Sequence, residues 1–299
     1  MFTVKTSEAG HGQQLNSLRG ALDKLEMARG LDAISNRLCD GVRGLLRGRT
    51  ADFLHGVWLG HPLHPVLVQV PIGAWASATV LDVLPGTAAG ARMLVGVGTA
   101  AAFPAAVAGW NDWASLAREQ RRVGLVHASS NALAIGLQAA SFGARLAGHR
   151  KAGSALSVVG LAFAAAGGYI GGHLSYRLAA GVNYAAPMFR RLPDGWQRVC
   201  RYDELSEASP IVRTIADVPV LIVREGDVVT AMIERCAHQG GPLIDGEVTS
   251  VGGATCVVCP WHGSTYRLID GAVVRGPAAT DQPTLRVQVQ DNHVEVALP

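Results

Sequence analysis

The sequence predicts a multi-domain chain in which an α-helical four-helix transmembrane bundle is followed by a small all-β domain. Three observations carry that prediction. Hydrophobic residues make up 49% of the 299 residues and charged residues only 16%, well under the roughly 25% usual in soluble proteins. Charge is unevenly placed: residues 1–52 carry a net +2, residues 53–193 a net +7 with only 3 acidic residues, and residues 194–299 a net −6. Long apolar runs fill the middle, and short alternating runs fill the end. The same composition excludes a disordered chain. The total of +3 gives no broad basic field, which argues against nucleic acid as a partner. Five cysteines are too few and too scattered for a disulfide scaffold.

Residues 1–52 read as an amphipathic helical leader. Leu15, Leu18, Leu22 and Leu25 recur at helical spacing, followed by Leu31, Ile34 and Leu38. Such a helix lies on a bilayer surface or packs against a second copy of the chain, and periodicity does not choose between these. Met1–Gly20 lacks the continuous apolar core and small-residue cleavage site of a signal peptide.

Residues 53–185 read as a membrane domain. Val66–Leu84, Met93–Trp110, Val123–Ala144 and Ala155–Leu174 are apolar stretches of about the 20 helical residues that a bilayer requires. Charge or turn residues bound them: Pro85-Gly86, Asp112, Arg121-Arg122 and Arg150-Lys151. Asp82 is the only acid inside them. In the last stretch the pairs Gly167/Gly171 and Gly168/Gly172 have the spacing that lets helix backbones approach closely. Four crossings place both termini on one side. That side carries Arg47, Arg49, Arg118, Arg121, Arg122, Arg177, Arg190 and Arg191, against Arg92, Arg145, Arg150 and Lys151 opposite. Positive charge collects on the cytoplasmic side, so both termini are expected in the cytoplasm.

Histidines mark one depth of this domain. His61 and His64 stand in Gly60-His-Pro-Leu-His-Pro65, His127 lies in the third stretch and His173 in the fourth. Ionisable residues inside a membrane are costly and point to function. His127 is about 7–8 Å of helix beyond Arg122, and His173 is about 6 Å before Arg177. With His64 at the start of the first stretch, three histidines share one layer near the cytoplasmic side. Three readings stay open: axial ligands of a b-type haem, a quinone or metal site, or a structural network with Asn131, Asp112 or backbone.

This half resembles a known family. Leu54-His-Gly-Val-Trp-Leu-Gly-His-Pro-Leu-His-Pro65 and Pro71-Ile-Gly-Ala-Trp75 look like an uncharacterised bacterial four-helix membrane domain, as do Gly124-Leu-Val-His127 with Asn131 and Gly171-Gly-His-Leu-Ser-Tyr176. The resemblance covers roughly residues 15–185 and implies a multi-pass protein of the bacterial inner membrane. It implies no biochemical function.

Residues 194–299 read as short strands. Val218–Val223 and Val228–Ile233 form one expected hairpin around Glu225-Gly-Asp227, and Leu285–Val289 and Val294–Ala297 another around Asp291-Asn292. Two loops hold metal-type ligands, Cys236-Ala-His238 and Cys259-Pro-Trp-His262. A zinc finger groups its cysteines and its histidines separately. Alternating Cys-His pairs suit a 2Fe–2S cluster in which two Cys hold one iron and two His the other. Twenty residues separate His238 from Cys259, and Gly246–Ala254 is expected to hold the extra length as a loop. Cys256 is expected to be a buried strand thiol, and Cys39 and Cys200 free thiols.

This half closely resembles the Rieske family, through both Cys-His pairs, Gly240-Gly-Pro-Leu243, Gly263-Ser-Thr-Tyr266 and Gly276-Pro277. The resemblance implies one 2Fe–2S cluster on Cys236, His238, Cys259 and His262, with Gly276-Pro277 as a covering loop. It implies that Ser264 and Tyr266 bond to a cluster sulfide and a ligand cysteine. Such bonds raise the potential. Gly241 and Trp261 stand where the respiratory branch has a disulfide, which points to the ferredoxin-like branch and a reducing compartment. The two cues conflict, and an intermediate potential is expected.

Only 37 residues follow His262, with one histidine, His293. That is too little for the second iron site of a Rieske oxygenase, which needs two His and a carboxylate. No dinucleotide-binding glycine motif is present. The expected function is single-electron transfer by a membrane-anchored iron–sulfur protein, between a membrane haem or quinone and a soluble partner protein. The alternatives are a redox sensor and the ferredoxin component of a separate oxygenase.

Overall fold

The computed structural model describes residues 13–299, with side chains from Gly20 onward. The readings at Leu15, Leu18 and most of Met1–Gly20 lie outside the described side chains. Helices α1 (Gln13–Glu26), α2 (Asp32–Leu45) and α3 (Arg49–His55) make up the leader. The bundle follows as α4 (His64–Leu67), α5 (Gln69–Asp82), α6 (Ala88–Ala114), α7 (Arg118–Leu146) and α8 (Arg150–Tyr176).

The leader uses neither of the two surfaces expected of it for its inner face. It packs on the bundle of its own chain, with Leu22, Ser35 and Cys39 buried. Cys39 Sγ donates to Ala114 O at 3.3 Å. Arg122 at the start of α7 grips Asp32 through Nε and Nη2, at 2.7 and 2.8 Å, and donates through Nη1 to Glu26 O at 2.6 Å. Arg177, just past α8, pairs with Asp23 at 2.7 Å. Ion pairs thus fasten the leader at the bundle end where charge is permitted.

Among the described residues, three helical segments are long and apolar enough to cross a membrane: His64–Asp82, Ala88–Ala114 and Arg150–Tyr176. The expected fourth crossing, α7, does not join them on composition, although it has 29 residues. The reason is the polar side chains it keeps inside the bundle. Gln138 and Ser141 are fully buried, and Arg145 nearly so. All three face α8. Gln138 Nε2 donates to Ser157 O at 3.0 Å, and Ser157 Oγ returns a bond to Gln138 Oε1 at 3.0 Å. Ser141 Oγ donates to Gly153 O at 2.6 Å. Arg145 closes the series on Asp82, at 2.6 Å from Nη1 to Oδ1 and 2.5 Å from Nη2 to Oδ2.

Glycines of α8 make the room. A Cβ on Gly153 would stand 2.6 Å from Arg145 Cγ, on Gly160 3.1 Å from Gln138 Nε2, and on Gly167 2.7 Å from Asn131 Nδ2. The seven-residue spacing on both helices repeats one contact along the seam, as close helix packing demands. Gly168 faces away, with nothing within 4 Å of its Cβ position. Of the two glycine pairs noted in the sequence, Gly167/Gly171 is therefore the packed one. Outward, the spans show Val70, Met93, Phe103, Leu133 and Val158.

The segment from Leu178 to Asp194 is more than a tether. Gln120 Nε2 holds Leu178 O at 2.7 Å, and α9 (Ala186–Phe189) follows. Ala185 and Leu192 are buried in the core of the β domain. That domain has two antiparallel sheets. The first joins β1 (Gln197–Arg201), β2 (Ile211–Ile215), β3 (Val218–Glu225), β4 (Val228–Ile233), β9 (Thr284–Gln290) and β10 (His293–Ala297), in the order β1-β10-β9-β4-β3-β2. The second joins β5 (Glu247–Val251), β6 (Ala254–Val258), β7 (Thr265–Arg267) and β8 (Val273–Arg275) in sequence order. Both expected hairpins are present, as β3–β4 and β9–β10. The expected loop at Gly246–Ala254 is instead the β5–β6 hairpin. Gly252 and Gly253, at φ +61° and +82°, make a two-residue turn of the kind that requires positive φ at both positions. Val220, Ile222, Leu243, Val257 and Tyr266 fill the space between the sheets.

Overpacking of this sort costs about 1–3 kcal/mol. Gly167→Leu is expected to lower the thermal midpoint of the detergent-solubilised protein by displacing Asn131, and Gly168→Leu to leave it unchanged. Equal melting of the two variants would contradict the seam.

Candidate metal centre

Two loops at one end of the β domain carry the candidate ligands. Cys236 and His238 lie between β4 and β5, and Cys259 and His262 between β6 and β7. Each loop closes on itself. Cys236 N–H donates to Gly241 O at 2.9 Å and Gly240 N–H to Cys236 O at 2.8 Å; Cys259 N–H donates to Ser264 O at 2.8 Å and Gly263 N–H to Cys259 O at 3.0 Å. The turns bury both thiols and bring the two imidazoles together, with ring centroids 5.0 Å apart.

The ligands are grouped by kind. Among the described residues, no three His, Cys, Asp or Glu side chains converge as a single-ion site would require. Thiol meets thiol and imidazole meets imidazole, which is the separation that a two-iron centre with unlike ends demands. The side-chain hydrogen bond between Cys236 and Cys259 pushes the first thiol's pKa up and the second's down. The pair thus shares one proton, and losing both needs a cation. Burial pushes His238 down to about 3. Burial, then the Arg43 and Arg121 cations, push His262 down as well. Both rings are neutral at pH 7, as metal ligands must be. Nδ1 of each ring is buried with no hydrogen-bond partner. Orphaned buried nitrogens are rare and call for an explanation, and here the same atom is orphaned in both rings. The residues fit a 2Fe–2S cluster.

Neighbouring side chains support the loops. Tyr266 Oη lies 3.2 Å from Cys236 Sγ, and burial raises the Tyr266 pKa well above the usual value, so it stays a phenol. Ser264 Oγ accepts from Ala278 N–H at 3.0 Å and so ties the Gly276-Pro277 loop to the second ligand loop. Gln282 escaped the sequence reading, because a lone glutamine carries no signal. It is buried and clamps the first loop, accepting from Ala237 N–H at 2.8 Å and donating to Ile233 O and Arg235 O at 2.6 and 2.9 Å. A Cβ on Gly241 would stand 2.9 Å from Cys259 Sγ and 3.0 Å from the Trp261 ring. Those two positions do face each other. Cys256 is buried in β6, and Cys39 and Cys200 are buried free thiols.

The structure brings two of the membrane histidines together. His64 and His127 meet edge to face at 6.2 Å between centroids. His64 Nδ1 bonds to Ala105 O at 2.7 Å. His127 Nδ1 bonds to Gly167 O at 2.8 Å, and Asn131 Nδ2 lies 3.2 Å from its Nε2. His173 is apart, with Nε2 on Glu26 Oε1 at 2.9 Å. His61 is exposed, with Nδ1 on Pro62 O at 3.1 Å. Each of these histidines has a hydrogen-bond partner, and the structure does not gather His173 with His64 and His127.

The ligand loops rest on the charged end of the bundle. Tyr184 N–H donates to Ala237 O at 2.9 Å. Gln239 Nε2 donates to Ser115 O at 3.2 Å. Gly276 N–H donates to Asp52 Oδ1 at 2.8 Å, and His55, which is paired with Asp112 at 2.9 Å, packs against the same glycine.

Comparison with known proteins defines the two parts. Residues 195–288 match the family model described as Rieske 2Fe-2S domain, and residues 60–184 match that described as Predicted membrane protein (DUF2231). The chain carries a Rieske domain joined to a DUF2231 domain. A human Rieske domain-containing protein is 33% identical over 78 residues, which are 25% of this chain and 50% of that protein's length. The anthranilate 1,2-dioxygenase ferredoxin subunit of Burkholderia cepacia is 29% identical over 101 residues, 34% of this chain and 90% of that subunit. Among solved structures, the ferredoxin of carbazole 1,9a-dioxygenase from Nocardioides aromaticivorans is 24% identical, covers 36% of this chain and 100% of its own, and has a TM-score of 0.33. The Rieske-matching part of the chain is thus similar to a ferredoxin component of an oxygenase.

Gln282→Leu would remove the side-chain partners of one backbone N–H, on Ala237, and of two backbone carbonyls, on Ile233 and Arg235. Each buried group left unpaired costs about 1–3 kcal/mol. The variant is expected to hold less iron per chain and to melt earlier than the parent, measured by iron analysis and calorimetry.

Proposed function

We propose that the chain is a membrane-anchored one-electron carrier. The observation that carries this reading is the separation of the buried ligands into a thiol pair and an imidazole pair with both Nδ1 atoms orphaned. Cys236 and Cys259 would hold one iron, and His238 and His262 the other. Bound there, the cluster supplies one-electron chemistry without making or breaking substrate bonds. The chain's own residues then exclude water, keep both imidazoles neutral and present a phenol to Cys236. Ser264 and Tyr266 support the site from behind, and Tyr266 favours the reduced state by hydrogen bonding to a ligand sulfur.

In this proposal residues 1–52 are a leader, 53–185 a domain crossing the bacterial inner membrane four times, and 194–299 the Rieske domain. α7 crosses with its polar side chains turned inward. The excess of arginine on the leader side places both termini and the cluster in the cytoplasm. The partner is a soluble redox protein or a membrane quinone. A second reading, the ferredoxin component of a separate oxygenase, draws on the likeness to the Burkholderia subunit.

Anaerobically purified protein is expected to contain about two irons and two acid-labile sulfides per chain and to show a Rieske paramagnetic-resonance signal on reduction. His262→Ala is expected to lose that signal. Stoichiometric zinc in the parent would overturn the reading. A C-terminal reporter active only after export would overturn the cytoplasmic placement and leave the cluster intact.

A further inference from the structure

The segment Gly276-Pro277-Ala278 is fastened at both ends, to different halves of the chain. Gly276 N–H donates to Asp52 Oδ1 of α3 at 2.8 Å, and Ala278 N–H donates to Ser264 Oγ at 3.0 Å. Pro277 between them has no N–H to offer. Ser264 is fully buried and closes the second ligand loop, where its carbonyl accepts from Cys259 N–H at 2.8 Å. A continuous hydrogen-bonded chain thus runs from a carboxylate of the membrane half to a ligand cysteine. It has little slack, since the two residues from Gly276 N to Ala278 N span at most about 7 Å. The Asp52 end is itself held. α3 is tied to α6 on both sides of Asp52, by Asn111 Nδ2 donating to Ala51 O at 3.1 Å and by His55 Nδ1 on Asp112 Oδ1 at 2.9 Å. The approach is also close: a Cβ on Gly276 would stand 3.0 Å from His55 Cδ2 and 3.4 Å from Asp52 Oδ1.

We propose that Asp52 is a positioning residue of the metal centre: its carboxylate, held on the membrane half, braces the second ligand loop through Gly276, Ala278 and Ser264. A carboxylate accepting a backbone N–H makes one of the stronger hydrogen bonds, and Asp52 is half-buried, where water competes with that bond less than at an open surface. The seat of Cys259 and His262 is then complete only with the membrane half in place. A β domain parted from that half has a looser second loop and gives up its iron more readily. This inference rests on the 2Fe–2S reading and adds to it a residue from outside the domain that carries all four ligands. Helix stabilisation alone would also favour an acid in the first turn of α3, so the test separates hydrogen bonding from charge.

The test is the rate of iron release from the full-length protein in detergent, after dithionite reduction, to an excess of a ferrous chelator. Paramagnetic resonance and thermal melting are recorded on each sample. Asp52→Ala is expected to release iron about tenfold faster than the parent, the factor that corresponds to about 1.4 kcal/mol, and to change the shape of the Rieske signal. Asp52→Asn keeps an acceptor oxygen and loses the charge, and is expected to stay near the parental rate. Asp52→Glu keeps the charge in the first turn of α3 but moves its oxygens by a methylene, and is expected to behave like the alanine variant. An alanine variant that holds its iron at the parental rate overturns this inference alone. So does an asparagine variant as fast as the alanine one beside a glutamate variant at the parental rate, since charge would then be the cause. If Asp52→Ala fails to fold, the contrast between Asp52→Asn and Asp52→Glu decides the matter. A parent without the Rieske signal overturns the 2Fe–2S reading instead. The brace is then read in the same variants by hydrogen exchange of the peptide that contains Ala278, which requires no metal. Exchange there is expected to quicken in the alanine variant, and exchange at the parental rate overturns the brace.

Discussion

Two buried thiols that share a proton and two buried imidazoles with orphaned nitrogens are costly unless a multiply charged group lies between them. The β domain is organised around that constraint. Its second sheet exists to carry the Cys259 loop and the strand with Tyr266. The first ligand loop is held by Gln282 from the far side of the proline loop, and that loop is held by Ser264. Three loops distant in sequence are thus linked side chain to backbone.

The membrane half obeys the same rule with other means. No water is available in a bilayer core, so each polar group must find its partner within the protein. On α7, serine and glutamine reach carbonyls of α8, Asn131 and His127 bond to each other, and Arg145 meets Asp82. Gly153, Gly160, Gly167 and Gly171 of α8 are the counterpart of that polarity, because each leaves space for a side chain on the facing helix. On α7 these buried polar side chains are enclosed by the bundle.

The join between the halves brings these two economies into contact. The charged end of the bundle is where arginine can be kept in a partly buried place, and the ligand loops rest on that end. Gly276 lies against Asp52 and His55, and Gln239 against Ser115 and Gln120. A redox centre with its histidine side toward the membrane half has a different electrostatic environment from a free ferredoxin, whose histidines would face solvent or a passing partner.

The sequence by itself determined the order of parts, the β hairpins and the two loops that carry the Cys-His pairs. Apolar length, two-residue periodicity and Cys-x-His with Cys-x-x-His are local signals, set by neighbours along the chain. The extra residues before Cys259 were legible only as length. Their folding into a hairpin depended on strand pairing with β6 and on two adjacent glycines. Gln282 was unreadable as a supporting residue of the ligand loop, since nothing local distinguishes a glutamine that clamps a loop. Counting helical rise led to one depth for His64, His127 and His173, and of these the structure brings His64 and His127 into contact. Depth does not fix rotation, and tertiary packing turned His127 toward α8, His64 toward α6 and His173 toward Glu26. A helix's rotation about its axis is set by what it packs against, which is why these partners could not be read from the sequence.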